Sequence, residues 1–123
     1  DINSNKITEL NLNDNKLTDI SGIKLFKNLK YLYLNFNKIK DISALKDLNK
    51  LKHLSLGYNL IKDISVLKDL KNLELFNIGS LELESNQINY INNCKNLKIL
   101  RCNKGFKNMT IIKYLNKDIR VIK

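Results

Sequence analysis

Few side chains in this 123-residue chain have reactive chemistry: one histidine, His53, two cysteines, Cys94 and Cys102, and two glutamates two positions apart, Glu82 and Glu84. Two carboxylates on one strand face could imitate a general acid and base, which need a proton donor and acceptor side by side. Exposed strand carboxylates are the simpler reading, because no Gly-rich phosphate loop, nucleophile motif or second histidine accompanies them. Two cysteines are too few for a disulfide framework and lack metal-ligand spacing with His53. The chain therefore reads as non-enzymatic, with no cofactor and no metal expected.

The aromatic residues offer a different chemistry. Tyr31, Tyr33, Phe36, His53 and Tyr58 fall in one short stretch. Tyrosine suits protein interfaces because one side chain carries both a large apolar ring and a hydroxyl. Whether these residues share a surface depends on the elements that carry them.

Those elements repeat. ELNLNDNKLTDISGI, YLYLNFNKIKDISAL and HLSLGYNLIKDISVL superpose at an offset of 22 residues, in the shared pattern L-x-L-x-x-N-x-[IL]-x-D-I-S. Alternation in YLYLN puts Leu32 and Leu34 on one side of a short strand and Tyr31, Tyr33 and Asn35 on the other. Beyond the Asn, the apolar residues Ile39, Ile42, Leu45, Leu48 and Leu51 fall at every third position, which suits 3₁₀-like turns returning the chain to the next strand. A period and spacing of this kind read as a leucine-rich-repeat solenoid, in which each coil is too thin to bury its apolar side without neighbours. The recurring Asn15, Asn37, Asn59 and Asn86 are expected to turn inward and satisfy backbone groups of the tight turn. Asp-Ile-Ser, at 19–21, 41–43 and 63–65, reads as a turn device.

This phrase, as in NKIKDISALKDLNKLKHLSL and NLIKDISVLKDLKNLELF, resembles the 22-residue leucine-rich repeats of bacterial internalin-type proteins. The resemblance covers about residues 6–102. It implies a right-handed α/β solenoid with parallel β-strands on a concave face that binds another macromolecule, usually a protein, and 3₁₀ or irregular turns on the convex face. It also implies a secreted or cell-surface location, although repeats of this length occur in cytoplasmic proteins too.

The whole chain, 1–123, is expected to form one domain, with a C-terminal helix-strand cap at about 103–123. Residues 108–116 have helical spacing, and 119–122 suit a last strand. Asn108-Met109-Thr110 matches a glycosylation acceptor, which matters only in a secreted eukaryotic protein. No apolar run approaches the roughly 18 residues of a membrane span, and DINSNKITEL is no signal peptide, so the chain is expected to be soluble. It starts without Met and already in the repeat, which points to a portion of something longer.

One stretch, LELFNIGSLELESN (73–86), fits the repeat in two registers. Counting 22 from Leu54 lands on Phe76 and makes FNI the strand. Placing the strand at Leu81 and Leu83 recovers Asn86 and Ile88 in their repeat positions, at the cost of about five added residues, 76–80. The second register is preferred, and it makes 76–80 a bulge whose deletion leaves stability nearly unchanged. Cys94 and Cys102 then take places held elsewhere by leucine. Buried thiols are favoured there, with a disulfide or reactive site as the alternative.

In this register the outward strand positions include Glu9, Asn11, Tyr31, Tyr33, His53, Ser55, Ser80, Glu82, Glu84, Ile99 and Arg101, with Phe36 and Tyr58 at the rim. The predicted partner-binding residues are Tyr31, Tyr33, Phe36, His53, Tyr58, Glu82, Glu84 and Arg101, facing a protein. The net charge of +10 comes with lysines such as Lys24, Lys46 and Lys68 on the return segments. Nucleic acid is disfavoured, since it calls for basic residues interleaved with aromatics on one surface. The alternatives are an anionic surface or nucleic acid bound through the lysine-rich convex face and the tail (Lys104, Lys107, Lys113, Lys117, Arg120, Lys123), or a structural segment of a longer repeat protein.

Overall fold

The computed structural model describes residues 3–103 and 112–123. The basic tail residues Lys104 and Lys107, the Asn108-Met109-Thr110 acceptor and the first four residues of the expected 108–116 helix lie outside the described residues.

The apolar-polar alternation yields short strands: β1 Glu9–Asn11, β2 Tyr31–Tyr33, β3 His53–Ser55, β4 Leu75–Gly79, β5 Ile99–Cys102 and β6 Arg120–Ile122. They pair in sequence order into one parallel six-stranded sheet. Leu10, Leu32, Leu54, Phe76, Leu100 and Val121 stand opposite one another through the stack. The inward side chains of the middle strands, including Leu32, Leu54 and Phe76, are fully buried in one continuous core. A coil has only one apolar side, so this core exists only because coils stack.

The return segments follow from the three-residue apolar spacing. Leu45 N donates to Ile42 O at 3.1 Å, Leu48 N to Leu45 O at 3.0 Å and Leu51 N to Leu48 O at 3.1 Å. These bonds span three residues, so side chains three apart eclipse on one side, and Ile42, Leu45, Leu48 and Leu51 all face the core. Each turn is opened by its Asp. Ser21, Ser43 and Ser65 N–H groups donate to the carboxylates of Asp19, Asp41 and Asp63, each at 2.8 Å. These contacts hold all three carboxyls below the ordinary 3.8, the backbone bond from the Ser contributing most.

The inner Asn column works between coils. Asn37 Oδ1 accepts from Asn15 N at 3.0 Å and Leu17 N at 2.9 Å, while its Nδ2 donates to Leu12 O and Leu34 O, both at 3.0 Å. Asn59 repeats this one coil later, with Ile39 N at 3.1 Å and Leu34 O at 2.8 Å. Asn15 is exposed and bonds only locally through its amide, to Asn13 O.

The preferred register of 73–86 is overturned. The strand is LFNIG: Phe76 pairs with Leu54 and Asn77 with Ser55, so the 22-residue spacing holds and nothing is inserted. Phe76 and Ile78 fill the core as Leu54 and Leu56 do. Leu81 and Leu83 are also buried, but on the descending limb after the strand, and Asn86 is exposed outside the column. Beside it, Gln87 makes a different link between coils: its Oε1 accepts from Ile64 N at 2.8 Å, three residues beyond Ile61, the position equivalent to Leu17 and Ile39 in the column. The added length lies in the next return, since Phe76 and its partner Leu100 are 24 residues apart. There a 3₁₀ turn, Ser85–Gln87, runs into α1, Ile88–Asn92. An α-helix rises less per residue than a 3₁₀ helix, so it takes up extra residues over the same span. The 76–80 deletion would therefore remove a core strand.

Cys94 and Cys102 are both free thiols and both buried. Cys94 occupies the turn position of Leu48 and Leu70, as Leu97 N donates to its carbonyl at 3.0 Å. Burial pushes its thiol up to about 11, so it stays protonated and unreactive at neutral pH. Past Cys102 the last strand, β6, extends the sheet, and Ile112, Leu115 and Val121 pack against the core.

Candidate functional site

The outer face of the sheet is built by the strand residues that point away from the core. Tyr31 and His53, Cα partners on β2 and β3, meet edge to face with ring centroids 4.9 Å apart. Just past the strand ends, Phe36 and Tyr58 stack at 4.4 Å with planes 7° apart. Both have left-handed backbones, φ 58° and 57°, a conformation uncommon for aromatic residues. The turn thereby sends both rings outward, and they stay 54% and 48% exposed. Asn103 Nδ2 bonds the Tyr58 hydroxyl across two coils.

Between the aromatics and β5 lies an open hollow of about 300 Å³, lined by Tyr33, Asn35, His53, Leu75, Asn77 and Arg101 around the buried Leu54 and Ser55. Arg101 is exposed and has no ion-pair partner among the described residues. At the edge where the strands begin, Lys30, Lys50, Lys52 and Lys98 line a second groove of about 380 Å³. The acid there, Glu74, stands 3.8 Å from Lys98 Nζ.

Five of the eight predicted residues gather on this face or its rim: Tyr31, Tyr33, His53, Phe36 and Tyr58. Arg101 joins them from β5. Glu82 and Glu84 do not: both are exposed on the descending limb beyond β4, and the outward positions of the fourth coil are Leu75, Asn77 and Gly79. The acid pair therefore leaves the face, and with it the imitation of a catalytic dyad. No group of metal-ligating side chains occurs among the described residues, and none of their helices is long and apolar enough to cross a membrane.

Residues 27–88 match the family described as Leucine rich repeat, and residues 5–47 that described as Leucine Rich repeats (2 copies). The chain belongs to the leucine-rich-repeat family. Its repeats are of the internalin type. It is similar to internalin C2 of Listeria monocytogenes, with 30% identity over 80% of this chain and a TM-score of 0.75. Internalin F of the same organism gives 28%, 94% and 0.59. A leucine-rich-repeat protein of Leptospira interrogans shares the fold, with a TM-score of 0.65 and 23% identity over 95% of this chain. The chain spans 43%, 40% and 37% of those three chains. No curated protein sequence matches it.

Within this leucine-rich-repeat frame, two groups on the face escaped the sequence reading. Leu75 and Asn77 were hidden by the wrong register. Lys30, Lys52 and Lys98 each stand one residue before a strand, a recurrence visible in the repeat alignment. A third set of asparagines ties the returns together: Asn28, Asn72 and Asn96 donate to Asn5 O, Asn49 O and Lys71 O of preceding coils.

Proposed function

We propose that this leucine-rich-repeat chain is a non-enzymatic protein-interaction module, one domain over 1–123, that binds a protein partner through the outer, concave-side face of its sheet. The family is a general protein-interaction scaffold. The observation that carries the choice of face is the aromatic cluster on coils two and three. Phe36 and Tyr58 stack in solvent beside the Tyr31–His53 pair, and exposed aromatics of this size, gathered on one surface, are the usual anchors of protein interfaces. A purely structural role would be served by the Tyr31–His53 contact, which stabilises neighbouring strands. The Phe36–Tyr58 stack also joins neighbouring coils, but it leaves both rings about half exposed, which favours a contact surface.

The test compares proteins retained from a cell extract by the immobilised chain, by its Tyr31→Ala/Tyr33→Ala variant and by a Lys46→Ala/Lys68→Ala variant altered on the opposite side. Retention lost only in the folded tyrosine variant supports the proposal. Retention that survives there and fails in the lysine variant assigns binding to the convex side and refutes it.

A further inference from the structure

The hollow beside the aromatics has a chemical selectivity of its own. Among its lining residues, Asn35 Oδ1 accepts from Gly57 N at 2.7 Å and from Ser55 Oγ at 2.9 Å. Asn77 Oδ1 accepts from Gly79 N at 2.9 Å. Both amides are thereby oriented without ambiguity, because a backbone N–H can meet only the oxygen. The fold occupies both acceptor sites of Asn35 and one of Asn77, and their donor ends, the two NH₂ groups, remain for a ligand in the hollow. Arg101 in the lining adds a guanidinium with donors only. A site whose remaining groups are mostly donors selects a ligand rich in acceptors.

Charge points the same way. With Glu82 and Glu84 off the face, the one acid at an outward strand position among the described residues is Glu9, on the first coil. Lys30 and Lys52 line the separate groove at the strand-start edge of the same sheet, where Glu74 stands 3.8 Å from Lys98 Nζ. We infer that this hollow receives the carboxylate of an Asp or Glu side chain from an acidic segment of a protein partner, on Arg101 and the amide donors of Asn35 and Asn77.

The inference rests on the proposed concave-side binding and specifies its chemistry. A carboxylate offers two acceptor oxygens to the planar fork of Arg101, a pairing that is both charge-assisted and directional. Tyr33 and Leu75 in the lining suit the aliphatic stem. At about 300 Å³ the hollow is at the small end of ligand sites and is open, so it fits a side chain delivered by a partner better than an enclosed small molecule. Lys30 and Lys52 steer the acidic segment and add salt dependence without fixing its position.

The probe is a phage-displayed library of random twelve-residue peptides, selected against the full chain. Enriched peptides are expected to contain Asp or Glu, and changing that residue to Asn or Gln should weaken binding about tenfold or more, the scale of a hydrogen-bonded charge. Arg101→Gln, an exposed substitution, should abolish this difference, while Lys46→Gln leaves it intact. Peptides that need Tyr31 and Tyr33 but bind Arg101→Gln as well as wild type overturn the inference and leave the proposed face standing. Peptides indifferent to Tyr31→Ala/Tyr33→Ala, or no enrichment at all, overturn both. Acidic peptides displaced by heparin and dependent on Lys46 and Lys68 place the anion site on the opposite side and likewise overturn both.

Discussion

Gly57 and Gly79 pass so closely that a Cβ on Gly79 would stand 2.6 Å from the Gly57 Cα. Gly79 also has a left-handed backbone, φ +54°. In the three preceding coils that conformation belongs to Asp14, Phe36 and Tyr58, one position later in the repeat. This early turn accompanies the register shift between Asn77 and Gly79 opposite Arg101 and Cys102, and it sends Glu82 and Glu84 away from the face. Glycine is needed here for space and for conformation at once.

Gly79→Ala is therefore expected to lower unfolding stability by about 2–4 kcal/mol, from backbone strain plus overpacking. Gly22→Ala is the control, because a Cβ there meets nothing within 4 Å; it should stay within about 0.5 kcal/mol of wild type. Urea denaturation of both variants measures the contrast, and equal midpoints would show that the close approach is not a constraint.

Asn37→Ala should cost about 1–3 kcal/mol, because it strands backbone groups of two coils that a methyl group cannot satisfy. The same measurement decides the fourth coil. Gln87→Ala should lower stability by about 0.5–1.5 kcal/mol through loss of its bond to Ile64 N, and the exposed Asn86→Ala should be near neutral. A larger loss at Asn86 than at Gln87 would restore the register with LEL as the strand.

Acid should weaken the turns. Asp19, Asp41 and Asp63 have folded values below 3.8, so the unfolded chain binds protons first as pH falls. Their stabilising contribution is present above about pH 4 and is lost as pH drops through the lowered folded values. Asn at all three positions keeps an acceptor for the Ser N–H but cannot titrate. The triple Asp→Asn variant should show a flatter decline in urea midpoint between pH 5 and pH 3 than wild type, on the order of a two-unit scan across the carboxylate range. An unchanged slope would assign the acid sensitivity to other groups.

Three regular coils were legible in the sequence by themselves. Apolar spacing of two, then three, with an Asn and an Asp-Ile-Ser at fixed offsets, is local information, and local geometry alone turns it into strand, tight turn and 3₁₀ return. The burial of Cys94 and Cys102 and the outward display of Tyr31, Tyr33 and His53 followed from the same offsets. The fourth strand was not settled locally, because FNI and LEL both alternate, and two sequence cues disagreed: the 22-residue count favoured FNI, while Asn86 and Ile88 favoured LEL. Tertiary packing decided it: Phe76 fills the core layer beneath Leu54, Gly79 fits against Gly57, and Gln87, not Asn86, bonds back to the preceding coil at Ile64. That one choice moved two acids off the face and put Leu75 and Asn77 beside Arg101. A side chain's period of two assigns it to a face only once its strand is in register, and in this chain the register is a property of contacts between coils.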